Sequence, residues 1–320
     1  MRRIGVLSSG GDTPGMNAAI RSVVKTGAHL SMDVMGIEYG FRGLMQGRIR
    51  QLTPENVEKI IYKGGTILKT CRCPEFVEKE GQLQAVRVCE AFDIEGIIVI
   101  GGDGSMRGAG ALSALGVNTV TLPGTIDNDL AYTDFTIGFD TAVNGVIEEM
   151  SKVNDTKISH DRIGVVEVMG NKCGDIALYS ALAAGANFLI LPEAPFDLDE
   201  ICSELVKARL KGRFSSMIVV SEGAAHAADV AKYIGEKTGF DTKSVVLGYT
   251  QRGGNPSQSD RILASRLAEQ AVRLLYKGVS NRTVGIQNNH VVDMDIEEAL
   301  KVKKKLDVDL YKLCQTLMES

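Results

Sequence analysis

The stretch Asn118–Asp129, NTVTLPGTIDND, joins an apolar run of strand length to a glycine-containing turn that carries two carboxylates. If the segment after the glycine is extended, side chains two positions apart share a face, so Thr125, Asp127 and Asp129 point the same way. Two carboxylates that close repel each other, so their charged forms are disfavoured unless a cation or a hydrogen-bond donor balances the charge or one of them takes up a proton. The sequence therefore predicts a partner for this pair at the end of a buried strand.

Apolar, β-branched runs recur along the chain and alternate with helical patterns. The strand-like runs are RIGVLSS (3–9), DVMGIEYG (33–40), GIIVIGG (96–102), NTVTLPG (118–124), RIGVVEVMG (162–170), FLILPE (188–193), SMIVVSEG (216–223) and SVVLGYT (244–250). Helical spacing of apolar residues is seen in residues 14–30, 142–155, 175–186 and 260–278. This alternation indicates βαβ units, whose strands are apolar throughout because helices cover both faces of the sheet. The predicted fold class is α/β, with two lobes that are each a mostly parallel sheet flanked by helices, a Rossmann-like three-layer sandwich.

The chain is expected to cross between the two lobes three times. We place the first crossover at the helix that begins near Asp140, because it follows the carboxylate strand. A return is predicted at TQRGGNPSQSD (250–260), the most turn-rich stretch of the second half. The larger lobe then comprises residues 1–138 plus 251–302, and the smaller lobe residues 139–250 plus 303–320.

Composition excludes several classes of protein. With 320 residues, 44% hydrophobic and 24% charged, the chain can bury a sizeable core and is unlike a disordered protein. No apolar run approaches the roughly 20 residues that span a bilayer, and the N-terminal MRRIGVLSSGG is unlike a secretory signal, so we expect a cytoplasmic protein. A net charge of −4 predicts no broad basic surface for nucleic acid or anionic lipid. Six scattered cysteines without a CxxC pair indicate reduced thiols.

Glycine-rich turns follow the predicted strands, where open α/β sheets bind ligands. After the first strand, Gly10 and Gly11 form a turn, and Pro14 suits the first position of the next helix. The free amides of that helix favour a phosphate, although a βα turn without a ligand remains the alternative. In GGDGS (101–105), Asp103 suits a carboxylate that holds Mg²⁺ beside phosphate oxygens, with an N-cap as the alternative.

The carboxylates of the opening stretch fit a phosphoryl transferase. Asp127 is suited to accept a proton from a substrate hydroxyl, while Asp129 and Asp103 hold the charge of the metal nearby. A surface turn is the alternative for this stretch. The basic residues that suit phosphate oxygens are Arg72, Arg162, Lys243 and Arg252. Any one arginine is more often solvated or structural than a ligand, but several near glycine-rich strand ends favour phosphate binding.

Taken together, these motifs resemble the bacterial ATP-dependent 6-phosphofructokinases. The matching segments are GVLSSGGDTPGMNAAIR, GGT, PEF, GGDGS, PGTIDND, TIGFDTA, VVEVMG, CGD, VLGYTQRGG and DRILASR. The resemblance implies a homotetramer of two-lobed subunits with sites shared between them. It also implies an allosteric glycolytic kinase that transfers the γ-phosphoryl group of MgATP to the 1-hydroxyl of fructose 6-phosphate.

The resemblance also implies roles by position. The catalytic residues are Asp127 as general base, with Thr125, Asp129 and Arg72; Asp103 holds Mg²⁺. The residues at ATP are Gly11, Arg72, Cys73, Gly102, Asp103, Gly104 and Ser105. The residues at the sugar phosphate are Thr125, Ile126, Asp127, Met169, Gly170, Asn171, Glu222, Tyr249, Thr250, Gln251 and Arg252, with Arg162 and Lys243 from a neighbouring subunit. Relatives that use pyrophosphate usually carry Asp at the position of Gly104 and Lys at that of Gly124, so both glycines favour ATP.

The chain departs from the family pattern at several of these positions. Asn171 and Lys243 stand where arginine is usual, and Tyr249 stands where histidine is usual. A lysine keeps the charge but loses the bidentate fork of arginine. A lost donor at Asn171 is worth about 3–4 kcal/mol of transition-state stabilisation, so we expect slower catalysis than in typical relatives.

The effector pocket, which in the family binds ADP or phosphoenolpyruvate between subunits, is altered more heavily. The retained residues are Arg21, Lys25, Gly185, Lys211 and Arg213, and the replaced ones are Pro54, Glu55, Lys59, Asn154, Asn187, Phe214 and Ser215. We expect allosteric control to be weak or differently tuned. An active phosphofructokinase is the first hypothesis. Because of the departures, two others stay open: a catalytically weak paralogue that binds sugar phosphate or nucleotide as a regulatory subunit, and a kinase for another sugar phosphate.

Overall fold

The computed structural model describes residues 2–318, which its contacts group into two compact units. Residues 2–126, 130–141 and 252–303 form the first unit, and residues 127–129, 142–251 and 304–318 form the second. The sequence placed the changes of lobe after residues 138, 250 and 302, whereas the contacts change after residues 141, 251 and 303. The contacts also assign Asp127–Asp129 to the second unit. The sequence did not predict this assignment, because a tripeptide has no linker or composition shift of its own.

The chain alternates strands and helices as the apolar pattern predicts. In chain order the elements are β1 (Arg3–Ser8), α1 (Met16–His29), β2 (Asp33–Ile37), α2 (Gly40–Met45), β3 (Ile49–Leu52), α3 (Lys79–Ala91), β4 (Gly96–Gly101), α4 (Asp103–Ala114), β5 (Asn118–Pro123), α5 (Phe139–Ser159), β6 (Ile163–Val168), α6 (Asp175–Ala184), β7 (Phe188–Ile190), α7 (Leu198–Leu210), β8 (Ser216–Ser221), α8 (Ala227–Thr238), β9 (Thr242–Val246), α9 (Gln258–Tyr276), β10 (Arg282–Gln287), β11 (His290–Asp295), α10 (Ile296–Lys301) and α11 (Val308–Met318). Short 3-10 turns cover Pro74–Val77 and Gly248–Arg252.

The first unit contains a seven-stranded sheet in the order β11-β10-β5-β4-β1-β2-β3. The five inner strands pair in parallel, and each edge strand is antiparallel to its neighbour. The second unit contains a four-stranded parallel sheet in the order β7-β8-β6-β9. The predicted α/β class is confirmed.

The inner strands are apolar on both faces because a hydrophobic core lies on each side of the sheet. In β4, Ile98 and Ile100 belong to the core that includes side chains of α1 and α9. Ile97 and Val99, which point the other way, belong to the core that includes Met106 of α4. All five side chains are almost completely buried. Burial of each aliphatic side chain of this size stabilises the fold by about 1.5–3 kcal/mol.

All eight strand-like runs form strands, but the sequence did not predict β3, β10 and β11. The edge strands β3 and β11 carry charged residues, and the apolar part of β10 is only four residues long. The expectation for Pro14 was wrong as well. Helix α1 begins at Met16 after Gly15, whose φ of 103° turns the chain before the helix starts. Within residues 2–318, no helix has both the length and the apolar character needed to cross a membrane.

Asn17 connects α1 to the loop that leads toward Arg72. The side chain is only 2% exposed. Its Nδ2 donates to the carbonyls of Lys63 and Gly64, both at 3.1 Å, and its Oδ1 accepts from the amide of Ile67 at 2.8 Å. One side chain therefore holds three backbone groups of a loop that has no regular secondary structure.

We expect Asn17→Ala to lower the free energy of unfolding by about 1–3 kcal/mol, because it removes three hydrogen bonds and leaves partly buried backbone groups without this partner. Thermal and denaturant unfolding followed by circular dichroism measure the change. Ser22→Ala is the matched control on the same helix, since it removes only one hydrogen bond, to the Ser265 carbonyl at 3.0 Å. Equal losses of stability in the two variants would contradict the role given to Asn17.

Candidate active site

The segment that follows β5 bends instead of continuing as a strand. The amide of Gly124 donates to the carbonyl of Gly101 at 3.0 Å, and this bond ends the pairing of β5 with β4. Asn128 has a φ of 52°, in the left-handed region, so the stretch is not extended throughout. Asparagine adopts this region more readily than most residues. Burial nevertheless alternates as predicted: Thr125, Asp127 and Asp129 are half-buried, and Ile126 and Asn128 are buried.

Asp103 is the first residue of α4, and Gly102 occupies the cap position before it. The N-cap alternative for Asp103 is therefore wrong. Its carboxylate pairs instead with Arg107, with Nε 3.1 Å from Oδ1 and Nη2 3.2 Å from Oδ2. The two side chains are 50% and 62% exposed, and such pairs contribute at most about 1 kcal/mol. A cation that binds more strongly can therefore replace Arg107 at little cost.

The first turn of α4 is anchored on one side and open on the other. Ser105 Oγ donates to the Ser9 carbonyl after β1 at 3.1 Å. A Cβ atom added to Gly104 would meet no atom within 4 Å. The amides of a helix N-terminus and its dipole favour negative charge. The first unit thus presents a helix start with free space beside it.

The turn after β1 brings Gly11 against Arg252. Gly10 has a φ of 85°, and its carbonyl accepts from Thr70 Oγ1 at 2.9 Å. A Cβ atom on Gly11 would lie 2.6 Å from Arg252 Nη1, so the guanidinium occupies the space that a side chain would need. The structure therefore brings together a residue predicted at ATP and one predicted at the sugar phosphate.

Arg72 lies on a loop whose backbone is bound by the side chain of Arg42. Arg42 Nη2 donates to the Arg72 carbonyl at 3.3 Å and is 3.6 Å from Glu75 Oε2. The thiol of Cys73 donates to the same Glu75 oxygen at 3.4 Å. Burial and then this carboxylate raise the pKa of Cys73, so the thiol is neutral at physiological pH. Cys73 thus supports the loop conformation next to Arg72.

In the second unit, the residues predicted at the sugar phosphate share one hydrogen-bonded network. The amide of Asn171, at a φ of 53°, donates to Glu222 Oε1 at 3.0 Å. The amide of Met169 donates to Gln251 Oε1 at 3.1 Å, and Gln251 Nε2 donates to the Gly248 carbonyl at 3.0 Å. Gln251 is 3% exposed, so its side chain supports the backbone of the Met169–Asn171 loop.

Two features next to this network are the glycine at position 170 and the 3-10 turn that contains Thr250. Gly170 has a φ of 142°, and a Cβ atom there would lie 2.3 Å from the Cys173 carbonyl oxygen. Thr250 Oγ1 donates to the Leu247 carbonyl at 2.7 Å and stabilises the 3-10 turn. Tyr249, on the same turn, is 81% exposed.

Arg162 and Lys243 meet at a carboxylate that the sequence did not single out. Asp241 accepts from Arg162 Nε at 2.5 Å through Oδ2, and Lys243 Nζ is 3.0 Å from its Oδ1. The hydrogen bond from Lys243 and then that from Arg162 hold the pKa of the Asp241 carboxyl below its ordinary value. These two cations therefore lie side by side at the start of β6 and β9.

The predicted effector residues fall into groups within each unit. Glu55 lies near Lys25, and its pKa is lowered by a hydrogen bond from Thr53 first and by Lys25 to a smaller extent. In the second unit, a groove of about 550 Å³ beside α7 is lined by Asn187, Lys211 and Arg213, among others. Arg21 belongs to α1, and Gly185, with a φ of 66°, caps the end of α6.

Sequence reasoning did not find several residues that contact the predicted site residues or their loops: Asn17, Arg42, Arg107 and Asp241. Arg107 was accessible to it, because a carboxylate and an arginine four positions apart on a helix form a pair. Asn17 and Arg42 contact groups far away in sequence, and Asp241 contacts the distant Arg162 as well as the nearby Lys243. Within residues 2–318, no three His, Cys, Asp or Glu side chains are arranged to hold a metal ion by themselves.

The sheet order, the helix start beside a glycine and the carboxylates at strand ends are typical of α/β proteins that bind phosphate groups. A family model described as phosphofructokinase matches residues 3–275. The chain belongs to the phosphofructokinase family.

Relatives of similar length support this membership. An ATP-dependent 6-phosphofructokinase of Clostridium tetani is 54% identical over 317 residues, which cover 99% of each chain. A Clostridium botulinum protein of the same name is 52% identical over the same share of both chains.

Solved structures agree with the fold. A phosphofructokinase structure from Saccharomyces cerevisiae matches 99% of this chain with a TM-score of 0.90 and 33% identity, and this chain spans 48% of that longer one. A pyrophosphate-dependent phosphofructokinase from Marinobacter aquaeolei matches the whole chain and 92% of its own, with a TM-score of 0.87. At 21% identity, that likeness concerns the fold alone.

Proposed function

We propose that this protein is a glycolytic ATP-dependent 6-phosphofructokinase, which transfers the γ-phosphoryl group of MgATP to the 1-hydroxyl of fructose 6-phosphate. The observation that carries the proposal is the full-length relationship, at 52–54% identity, to proteins named for this activity. The strand-end loops that carry Asp103 and Asp127 support it, since both residues match the family motifs by position. We also propose that the enzyme acts in the cytoplasm.

The proposed chemistry assigns the proton to Asp127. As the hydroxyl oxygen attacks the phosphoryl group, the Asp127 carboxylate accepts the hydroxyl proton. Arg72 donates to the oxygens of the transferred group and Arg252 to those of the sugar phosphate, because phosphoryl transfer depends mainly on positioning and on neutralising charge. Asn171 offers an uncharged amide where arginine is usual in the family, which is the reason to expect slower turnover.

The residues present fit Mg²⁺ at Asp103. The carboxylate lies beside the open space over Gly104, and its partner in the structure is already a cation. Oxygen ligands of this kind suit Mg²⁺, which usually keeps several waters and takes one or two carboxylates in addition to phosphate oxygens. When bound, the ion would neutralise the charge of the phosphates.

The choice of ATP over pyrophosphate is supported by two glycines. Gly104 leaves space where a side chain would otherwise stand. A Cβ atom on Gly124 would lie 3.0 Å from Ile100 Cγ2 and 3.2 Å from the Gly101 nitrogen. A side chain of any length at this position therefore fits only if these neighbouring atoms shift. The lysine that is usual in pyrophosphate-dependent relatives is therefore disfavoured at this position.

The first lobe is proposed to bind ATP, and the second to bind the sugar phosphate through the Met169–Asn171 loop and Glu222. Arg162 and Lys243 are proposed to reach the sugar phosphate of a neighbouring subunit in a homotetramer. Asp241, which holds both cations, would then set their spacing toward the phosphate.

Asp127→Asn keeps the shape of the side chain but removes the base, so we expect kcat to fall by roughly 10²–10⁴-fold. A coupled assay of ADP release with fructose 6-phosphate measures this. Asp229→Asn, on the exposed side of α8, is the matched control and is expected to retain wild-type turnover. Equally slow turnover in the wild type and in Asp127→Asn would refute the proposed kinase activity and would favour a regulatory paralogue.

Gly104→Asp adds a carboxylate where the nucleotide phosphates are proposed to bind. We expect kcat/KM for ATP to fall about tenfold or more through lost space and charge repulsion. Gly104→Ala, which adds only a methyl group, should have the smaller effect. Neither change should lower the thermal unfolding midpoint, because the added atoms meet open space. Unchanged ATP kinetics in Gly104→Asp would place the nucleotide elsewhere.

Regulation is proposed to be weak. Glu55 is ionised at neutral pH and offsets the charge of Lys25, and Asn187 lacks the carboxylate that helps to hold an effector metal in relatives. ADP or phosphoenolpyruvate should change half-saturation by fructose 6-phosphate less than about twofold, against roughly 5- to 150-fold for typical coupling. Strongly sigmoidal velocity curves that ADP makes hyperbolic would overturn this expectation.

A further inference from the structure

Asn128, which stands between Asp127 and Asp129, is anchored inside the second unit. Its Nδ2 donates to Asp175 Oδ2 at 2.8 Å, and the same oxygen is 2.9 Å from Lys304 Nζ. Asn128 is 1% exposed and Asp175 is 4% exposed. One buried carboxylate oxygen therefore receives an amide from the catalytic segment and an ammonium from the C-terminal segment.

Asp175 is itself held firmly. It is the first residue of α6, where the helix dipole favours a negative charge. The amide of the preceding Gly174 donates to Glu193 Oε1 at 2.8 Å. A Cβ atom on Gly174 would lie 2.7 Å from both Glu193 Oε2 and Leu191 Cδ2, so the start of the helix packs closely against its surroundings. The anchor point for Asn128 has little freedom to move.

A second contact reaches the same residue from Cys173. Its thiol donates to the Asn128 carbonyl at 3.9 Å. Burial, with a smaller contribution from Asp175, raises the pKa of Cys173 to about 12, so the sulfur keeps its proton at physiological pH. Both the side chain and the backbone of Asn128 are therefore bound to the 173–175 segment.

The backbone of Asn128 makes this anchor necessary. Non-glycine residues in the left-handed region cost about 1–3 kcal/mol and persist only where surrounding contacts hold them. The φ of 52° at Asn128 sets the direction in which the chain leaves Asp127 and enters Asp129. Loss of the anchor would let the segment relax and would move both carboxylates.

We propose that Asp175 and Lys304 are positioning residues, which act through Asn128 to hold Asp127 in its reactive place. The proposal rests on the proposed kinase function of Asp127. Lys304 supplies the counter-charge that holds the buried Asp175 carboxylate oriented toward Asn128, because removing one partner of a buried ion pair leaves an uncompensated buried charge. Attachment of the C-terminal segment thereby becomes a requirement for full turnover.

The first test compares Lys304→Met with Lys304→Arg. We expect Lys304→Met to lower kcat about tenfold or more through misplacement of the base, with KM for both substrates within about twofold of wild type. Lys304→Arg keeps the charge and should restore most of kcat. Lys305→Met, at an exposed neighbouring lysine, is the control and should match wild type. Wild-type kcat in Lys304→Met, or an equal loss in Lys304→Arg, would overturn the proposal.

A second variant guards against a purely structural loss. Asn128→Gly adopts the left-handed region without strain but lacks the amide, so the loop can fold while the anchor is missing. We expect the same loss of kcat as in Lys304→Met and no further loss when the two are combined. Wild-type turnover in Asn128→Gly, with its unfolding midpoint unchanged, would contradict the role of the anchor.

The decisive readout is the coupling to Asp127. If Lys304 acts through this base, Lys304→Met should not lower the residual turnover of Asp127→Asn any further, because residues that act as a unit are non-additive. The same fold-loss in both backgrounds would refute the proposal. That result differs from failure of the proposed function, in which the wild-type protein itself releases no ADP with fructose 6-phosphate.

Discussion

The backbone hydrogen bond from Gly124 to the Gly101 carbonyl is the constraint on which the first half of the site depends. At 3.0 Å it keeps the loops after β4 and β5 in contact. A Cβ atom on Gly101 would lie 2.4 Å from Ser105 Oγ, so a side chain there would displace the start of α4. Small residues at these strand ends therefore let the Asp103 and Thr125 loops lie next to each other. Glycine is suited to positions 101 and 124 because the two backbones approach each other closely there.

The carboxylates of the site differ in burial, and the degree of burial determines whether each one can exchange its ion-pair partner. The Asp103–Arg107 pair is half-exposed, so water screens it and a ligand can replace the arginine. The side chain of Asp175 is 6% exposed, and its pair with Lys304 cannot exchange partners without stranding a buried charge. The exposed Asp103–Arg107 pair therefore suits a position that binds a ligand. The buried Asp175–Lys304 pair suits a structural contact. Asp241 is similar to Asp103 in exposure, and it holds two cations at the surface.

Much of the fold was predictable because helices cover both faces of the inner strands, and the resulting apolar runs are visible without any tertiary information. The edge strands β3 and β11 escaped prediction because they face solvent and carry charges. The glycine-rich strand ends were visible too, and family membership follows from their order along the chain. The bend at Asn128 was not visible, because no local pattern marks it, and its side chain donates to the Asp175 carboxylate, 47 positions away.

The amino-acid sequence by itself therefore determined the α/β class, the strand-end loops and the identity of Asp103, Asp127 and Asp129 as the candidate chemical groups. These depend on periodicity and on residue type, which are local properties. Only the tertiary structure decided which distant groups meet around the site: Asp241 beside Arg162, and the Asp175–Lys304 pair beside Asn128. Most of these partners are distant along the chain, and hydrogen bonds of about 3 Å form between them only after the chain has packed.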